Sequence, residues 1–270
     1  MNIERGLVKT DLGYIHYRTA GNLGAPAVCL QHINQQSSAL YLEMMAELAP
    51  HRRVLAIDYP SHGHSDHVDK QPSINDYARC VVAAADALNI RTFAVSGEAV
   101  GAATSIALAA DYPQRVSHVV LLNCPYYANR KAADNAHGPL KSGLRPEDSS
   151  GFPMTRTLEF LLEKDPGHSP LHPTQPWMDR VNVCQIEAGR HRWQALDALH
   201  EYDVVGNLAR IMCPVKLLIG EQFHYLKNRD DFHKAHPRLI SEVLPGARFC
   251  IGWERAAEVA KHIIDFTSAS

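Results

Sequence analysis

Apolar residues in this chain gather in short runs, and stretches with helical spacing separate most of the runs. Residues 14–18, 25–31, 53–58, 92–97, 116–122, 214–219 and 247–251 read as strands. Between them, residues 39–48 carry Leu40, Met44, Met45 and Leu48 on one helical face, with Ser38 as the cap. Ser73 with Asp76 three residues on forms an imperfect capping box for a helix reaching about Leu88. Further helices are expected over about 99–112, 231–243 and 254–266. The strand runs are continuous rather than alternating, which fits strands buried on both faces. The expected class is α/β: a mostly parallel central sheet covered by helices on both faces.

Between Cys124 and Gly206 the strand signals stop, and Pro, Gly and His become frequent among helical fragments. This stretch reads as an inserted helical cap, dividing the chain into a core of residues 1–123 and 207–270 and a cap of 124–206.

Composition narrows the picture. With 270 residues, 46% of them hydrophobic, the chain can bury a sizeable core. A formal net charge of -2 gives no reason to expect nucleic acid or an anionic membrane as partner. No apolar run approaches the roughly 20 residues of a bilayer span, and no signal peptide is apparent, so a cytoplasmic protein is expected. Six scattered cysteines without a C-x-x-C pair read as reduced packing residues. The expected partner is a small-molecule substrate or ligand, with a homodimer admitted. No cofactor is expected.

Candidate chemistry centres on residues 92–102, an apolar run that turns sharply into a helix. The spacing Gly97-Glu98-Ala99-Val100-Gly101 has the outline of the nucleophile elbow G-x-S-x-G, in which two glycines let the backbone bend tightly. Its centre is Ala99, whose methyl group cannot attack anything.

The order of elements resembles the α/β-hydrolase superfamily over nearly the whole chain. The resemblance rests on Leu30-Gln31-His32, on Asp58-Tyr-Pro-Ser-His-Gly-His-Ser-Asp66, on the elbow outline, on Tyr112-Pro-Gln-Arg-Val116 and on Ile219-Gly-Glu221. It implies a catalytic triad of nucleophile, histidine and carboxylate, and this sequence departs from it at each place. Ala99 replaces the nucleophile. The turn expected to carry the acid reads Gly220-Glu-Gln222 and then Phe223, with Glu221 the nearest carboxylate. The histidine loop belongs between the last strand and last helix, where only Gly252 and Trp253 separate the expected elements, so the loop reads as deleted.

The resemblance also implies an oxyanion hole from the N–H groups near Ile33 or Asn34 and of Val100. With the nucleophile gone, proton transfer is expected from Glu98, His32 or His224, although each also has an ordinary structural reading. Trp177, Trp193, His172 and His191 of the cap, with Tyr126 and Tyr127, are expected near the substrate. His62-Gly-His-Ser-Asp-His67 matches the H-x-H-x-D-H run of metallo-β-lactamases, but its place in the hydrolase-like loop argues against a metal site. The expected function is acid–base chemistry of lyase, isomerase or water-mediated hydrolase type on a small, partly apolar carbonyl compound. A non-catalytic binding module, and a serine hydrolase with an engineered Ser-to-Ala change at 99, are the alternatives.

Overall fold

The computed structural model describes residues 2–128, 131–132 and 146–268. Among the described residues the strands are β1 (Glu4–Thr10), β2 (Gly13–Ala20), β3 (Ala27–Gln31), β4 (Arg53–Ile57), β5 (Phe93–Glu98), β6 (Val116–Leu122), β7 (Val215–Gly220) and β8 (Ile240–Leu244). They form one sheet in the order β1-β2-β4-β3-β5-β6-β7-β8. β2 runs antiparallel to β1 and β4, and every other pairing is parallel. All six residues of β5 are buried, as the unbroken apolar runs predict for a sheet covered on both sides.

The helices before the cap are α1 (Leu42–Leu48), α2 (Ile74–Ala87) and α3 (Val100–Asp111). Ser73 and Asp76 complete a full capping box at α2, each side chain meeting the other's backbone N–H, which stabilises such a helix start by about 1 kcal/mol. Ser38, expected as the cap of α1, instead opens a 3-10 turn over Ser38–Tyr41 that Ser37 caps, and α1 itself starts after Tyr41 without a side-chain cap. After β6 come α4 (Leu158–Lys164), α5 (Gln175–Ala188), α6 (Gln194–His200) and α7 (Val204–Leu208). α7 packs against α3 of the core and straddles the expected boundary at 206. Then follow α8 (Arg229–Ala235), α9 (Ile251–Glu254) and α10 (Ala256–Ser268).

Several expectations fail at the ends of the chain. The pairing of β1 with β2 was not anticipated, because β1 is half-exposed and its alternation is weak. Residues 231–243 are not one helix: α8 ends at Ala235 and the last strand begins at Ile240. The apolar run 247–251, expected as that strand, instead lies in the segment joining β8 to α10. That connection spans residues 245–255, so the loop expected to be deleted is present. It contains no histidine.

Candidate active site

The bend at residues 97–101 is fixed by close backbone packing. A Cβ on Gly97 would lie 2.5 Å from the Gly101 carbonyl, and one on Gly101 would lie 1.9 Å from the Gln31 carbonyl oxygen. Only glycine allows β3, β5 and the start of α3 to approach this closely. Ala99 sits at φ 52° and ψ -108°, a strained conformation for a residue with a side chain. The elbow geometry is therefore complete, and it lifts a methyl group into a cavity at the carboxyl ends of the strands, where open α/β sheets place their ligands.

That cavity offers about 70 Å³ to water-sized spheres. Its floor is Ala99 with Phe223, on the turn after β7, and Phe249, on the segment after β8. The two phenyl rings stack with centroids 5.9 Å apart and planes 14° apart. Ile33, Asn34 and Val100 also line the cavity. Val100 opens α3, so its N–H has no intrahelical acceptor. Asn34 has a second task, because its side-chain oxygen accepts the Leu196 N–H at 3.1 Å and ties α6 to the core.

Of the three residues expected to move protons, only His224 lines the cavity. Burial, followed by the nearby His168 and Lys227, lowers its imidazole to about 4, so it is neutral at pH 7. Glu98 is placed elsewhere. It precedes the elbow centre on an extended strand, and its side chain leaves on the other side. There it accepts from Asn123 Nδ2 at 2.7 Å and from the N–H groups of Ile251 and Gly252 at 3.3 Å. Burial raises its carboxyl to about 7 against those hydrogen bonds. Asn123 donates also to the Arg248 carbonyl and accepts from the Gly220 N–H, so one amide joins the ends of β5 and β7 and the segment after β8.

His32 is likewise structural. The Tyr59 N–H donates to Nε2 at 3.0 Å, which puts the ring proton on Nδ1, where it reaches the Ile33 carbonyl at 2.8 Å. Both nitrogens are used, and burial lowers the imidazole to about 3.

The aromatic expectations divide in the same way. Trp177 lines the cavity and packs against Trp253 at 5.5 Å. Trp193 does not line it and lies under the Arg192 guanidinium. Tyr126 faces α8, with its hydroxyl donating to the Asp231 carbonyl and its ring against Phe232. Tyr127 packs with Tyr225, His172 is exposed, and His191 meets His67. The H-x-H-x-D-H side chains scatter: His62 bonds the Pro60 carbonyl, His64 approaches Glu187, Asp66 accepts from the Tyr14 N–H, and His67 faces His191. Among the described residues, no group of three or more His, Cys, Asp or Glu is arranged to hold a metal ion.

The reading from sequence missed the polar wall beside the floor. Arg156 and His168 line the cavity, and buried Asp165 lies between them. Its carboxylate accepts from His168 Nδ1 at 2.8 Å and pairs with Arg156 at 3.7 Å. The spacing Asp165-x-x-His168 was the available signal, three residues apart on a turn that begins with Pro166.

Comparison with known proteins agrees with this architecture. The chain resembles a solved enol-lactonase from Burkholderia xenovorans LB400, with a TM-score of 0.76, 19% identity, and coverage of 97% of this chain and 100% of that one. It also resembles the solved E-2-(acetamidomethylene)succinate hydrolase, with a TM-score of 0.78, 20% identity, and coverage of 99% and 100%. At these identities the likeness is one of fold. In sequence it is 26% identical over 135 residues to 2-(acetamidomethylene)succinate hydrolase of Mesorhizobium japonicum, covering 50% of this chain and 49% of that one. It is 24% identical over 209 residues to (E)-2-((N-methylformamido)methylene)succinate hydrolase of Acinetobacter baylyi, covering 76% and 74%. Over the curated relatives that match most strongly, the chain spans 36% to 49% of their length. The family model for the alpha/beta hydrolase fold matches residues 26–166, more than half of the sequence. With the glycine-locked elbow, the parallel sheet and this match together, the chain belongs to the alpha/beta hydrolase fold family.

Proposed function

We propose that the chain is an enzyme that binds a small, neutral, partly apolar carbonyl compound and transforms it by acid–base chemistry without a covalent serine intermediate. The observation that carries this reading is the floor: Ala99, Phe223 and Phe249 occupy the elbow and the two turns where the family places nucleophile, acid and histidine. Phenyl rings cannot relay a proton to a nucleophile. The oxyanion-type positions at Ile33, Asn34 and Val100 line the cavity beside them, and their N–H groups, that of Val100 having no intrahelical acceptor, are the donors proposed for a carbonyl oxygen. Proton transfer then falls to an imidazole of the cavity wall.

Charge argues for a neutral ligand. The guanidinium of Arg156 already faces Asp165, and His224 is neutral, so these described wall residues supply no surplus positive charge for a dianion. The two relatives named for hydrolysis of acylaminomethylene-succinates make amides of that kind the first compounds to screen, as neutral esters and as free acids. Neutral members should raise the melting temperature and be consumed. Stabilisation by the free acids alone would overturn the charge argument.

The purified protein should form no adduct with a fluorophosphonate, and Ala99→Ser should form none either. An adduct in the variant, read by intact mass, would mark a trapped serine hydrolase instead. The stacked Phe223 and Phe249 favour one second reading, a ligand-binding module, and binding of a screened compound without any conversion would select it.

A further inference from the structure

His224 is pushed toward the unprotonated form, and an imidazole with so low a proton affinity is a weak base. The other imidazole of the cavity is built differently. His168 presents Nδ1 to Asp165 Oδ1 at 2.8 Å, and a carboxylate can only accept, so the ring proton lies on Nδ1 and Nε2 holds the lone pair. Among the described residues no side chain or backbone group is bonded to that Nε2, and 23% of the side-chain surface stays accessible on a residue that lines the cavity. It meets Phe249 edge-on at 5.9 Å and His224 at 5.7 Å.

The bracing around this pair is extensive. Asp165 is the C-cap of α4 and is itself buried, with Arg156 on its other oxygen. Arg156 is held in turn through its backbone, since its N–H donates to Asn182 Oδ1 and its carbonyl accepts from Asn182 Nδ2, both at 2.9 Å. Beyond the histidine, the Arg248 side chain donates to the carbonyls of Ser169 and Pro170 at 3.1 and 2.7 Å. Arg248 precedes Phe249, so the turn bearing His168 is tied to the backbone that carries the floor. A buried carboxylate orienting one ring nitrogen while the other faces a ligand cavity is the arrangement a general base requires.

We propose that His168, oriented by Asp165, is the proton acceptor of the cavity, with Asp165 as its positioning residue. The inference rests on the acid–base reading of the cavity and names the group that performs it. In the step, Nε2 takes a proton from a C–H or from a water O–H of the bound pair. The electron pair released forms the C=C of an enolate, or becomes a new O–C bond to the carbonyl carbon, and in either case the C=O π pair moves onto oxygen. The imidazolium, its charge shared with Asp165, then returns the proton to the enolate or to the leaving group as C=O re-forms and the bond to that group breaks.

A probe that needs only a base in an apolar site tests this with the full-length protein: 5-nitrobenzisoxazole. Removal of its C3 proton turns the C3–H electron pair into the third bond of a nitrile as the ring N–O bond breaks, and the charge leaves as a coloured phenolate. The wild type should show saturable turnover. His168→Gln should lower kcat by about 100-fold or more with KM little changed, and Asp165→Asn should lower kcat by roughly tenfold or more, again at constant KM. His172→Gln, on an exposed segment, should change neither constant. Melting temperatures of the variants separate lost chemistry from lost folding. If Asp165→Asn does not fold, ¹⁵N shifts of His168 in the wild type decide the orientation, with a proton on Nδ1 expected and a proton on Nε2 overturning the proposal. Probe binding, followed by displacement of a fluorescent dye, without turnover or with equal kcat in His168→Gln overturns the dyad and leaves the binding site standing. Absence of both binding and turnover removes the cavity reading as well.

Discussion

The floor of the cavity and its wall are made from different materials. The floor belongs to the sheet, where Ala99, Phe223 and Phe249 stand on backbone locked by the Gly97 and Gly101 contacts and by the Asn123 junction, yet they offer only carbon. Most of the ionisable wall comes from residues 156–168, outside the sheet, which carry Arg156, Asp165 and His168. Apart from His224, which follows Phe223 after β7, rigid placement and ionisable groups thus come from separate parts of the chain. In the family pattern the strand ends supply both.

The largest expected effect tests the rigid side. Gly101→Ala drives a methyl into the Gln31 carbonyl and should cost about 4 kcal/mol or more, whereas His168→Gln in the wall should cost about 1 kcal/mol. Urea unfolding compares the two, and equal losses would erase the contrast.

Next comes pH. Glu98 has a folded-state value raised to about 7 from 4.5, so between these values the folded chain holds a proton that the unfolded chain has released. Stability from this group is present at pH 4.5 and is lost as pH rises through 7. The stability of Glu98→Gln relative to wild type should therefore rise by on the order of 3 kcal/mol from pH 4.5 to pH 8. His32, His62 and His224 act in the opposite sense: burial lowers them to about 3, 4 and 4, so the unfolded chain gains protons below pH 6.5 that the fold refuses. Denaturant midpoints of wild type and variant at matched pH remove these shared terms. A difference that does not vary with pH would show that Glu98 is not held as described.

The smallest effect lies at the joint between α6 and the core. Asn34→Ala removes the acceptor of the Leu196 N–H and should cost about 1 kcal/mol. Faster hydrogen exchange confined to the first turn of α6 would place that loss at the seam. Unchanged exchange there would separate Asn34 from α6.

The sequence made the core readable because local chemistry and tertiary demand agree there. The two glycines, the apolar strand runs and the Ser73–Asp76 cap each serve the element they announce. At the last strand they disagree. Residues 240–244 form a half-exposed edge strand with an ambiguous pattern, while Phe249 to Ile251 are apolar because they line the cavity or pack beneath it. That apolar run imitated a strand and concealed the loop it belongs to. Glu98 misled through parity, since a position next to the elbow centre faces the other side of the sheet. His168 went unremarked because its partner lies only three residues away on a turn, and neither residue reveals from sequence that it will meet a cavity assembled from the core.

Glu98 stands at the junction of these parts. Its carboxylate grips the N–H groups of Ile251 and Gly252, immediately after Phe249 and Cys250. One of the ties under the Phe249 side of the aromatic paving is therefore an acid whose burial favours its protonated form, and a proton that no substrate meets helps to set the ground on which a substrate rests.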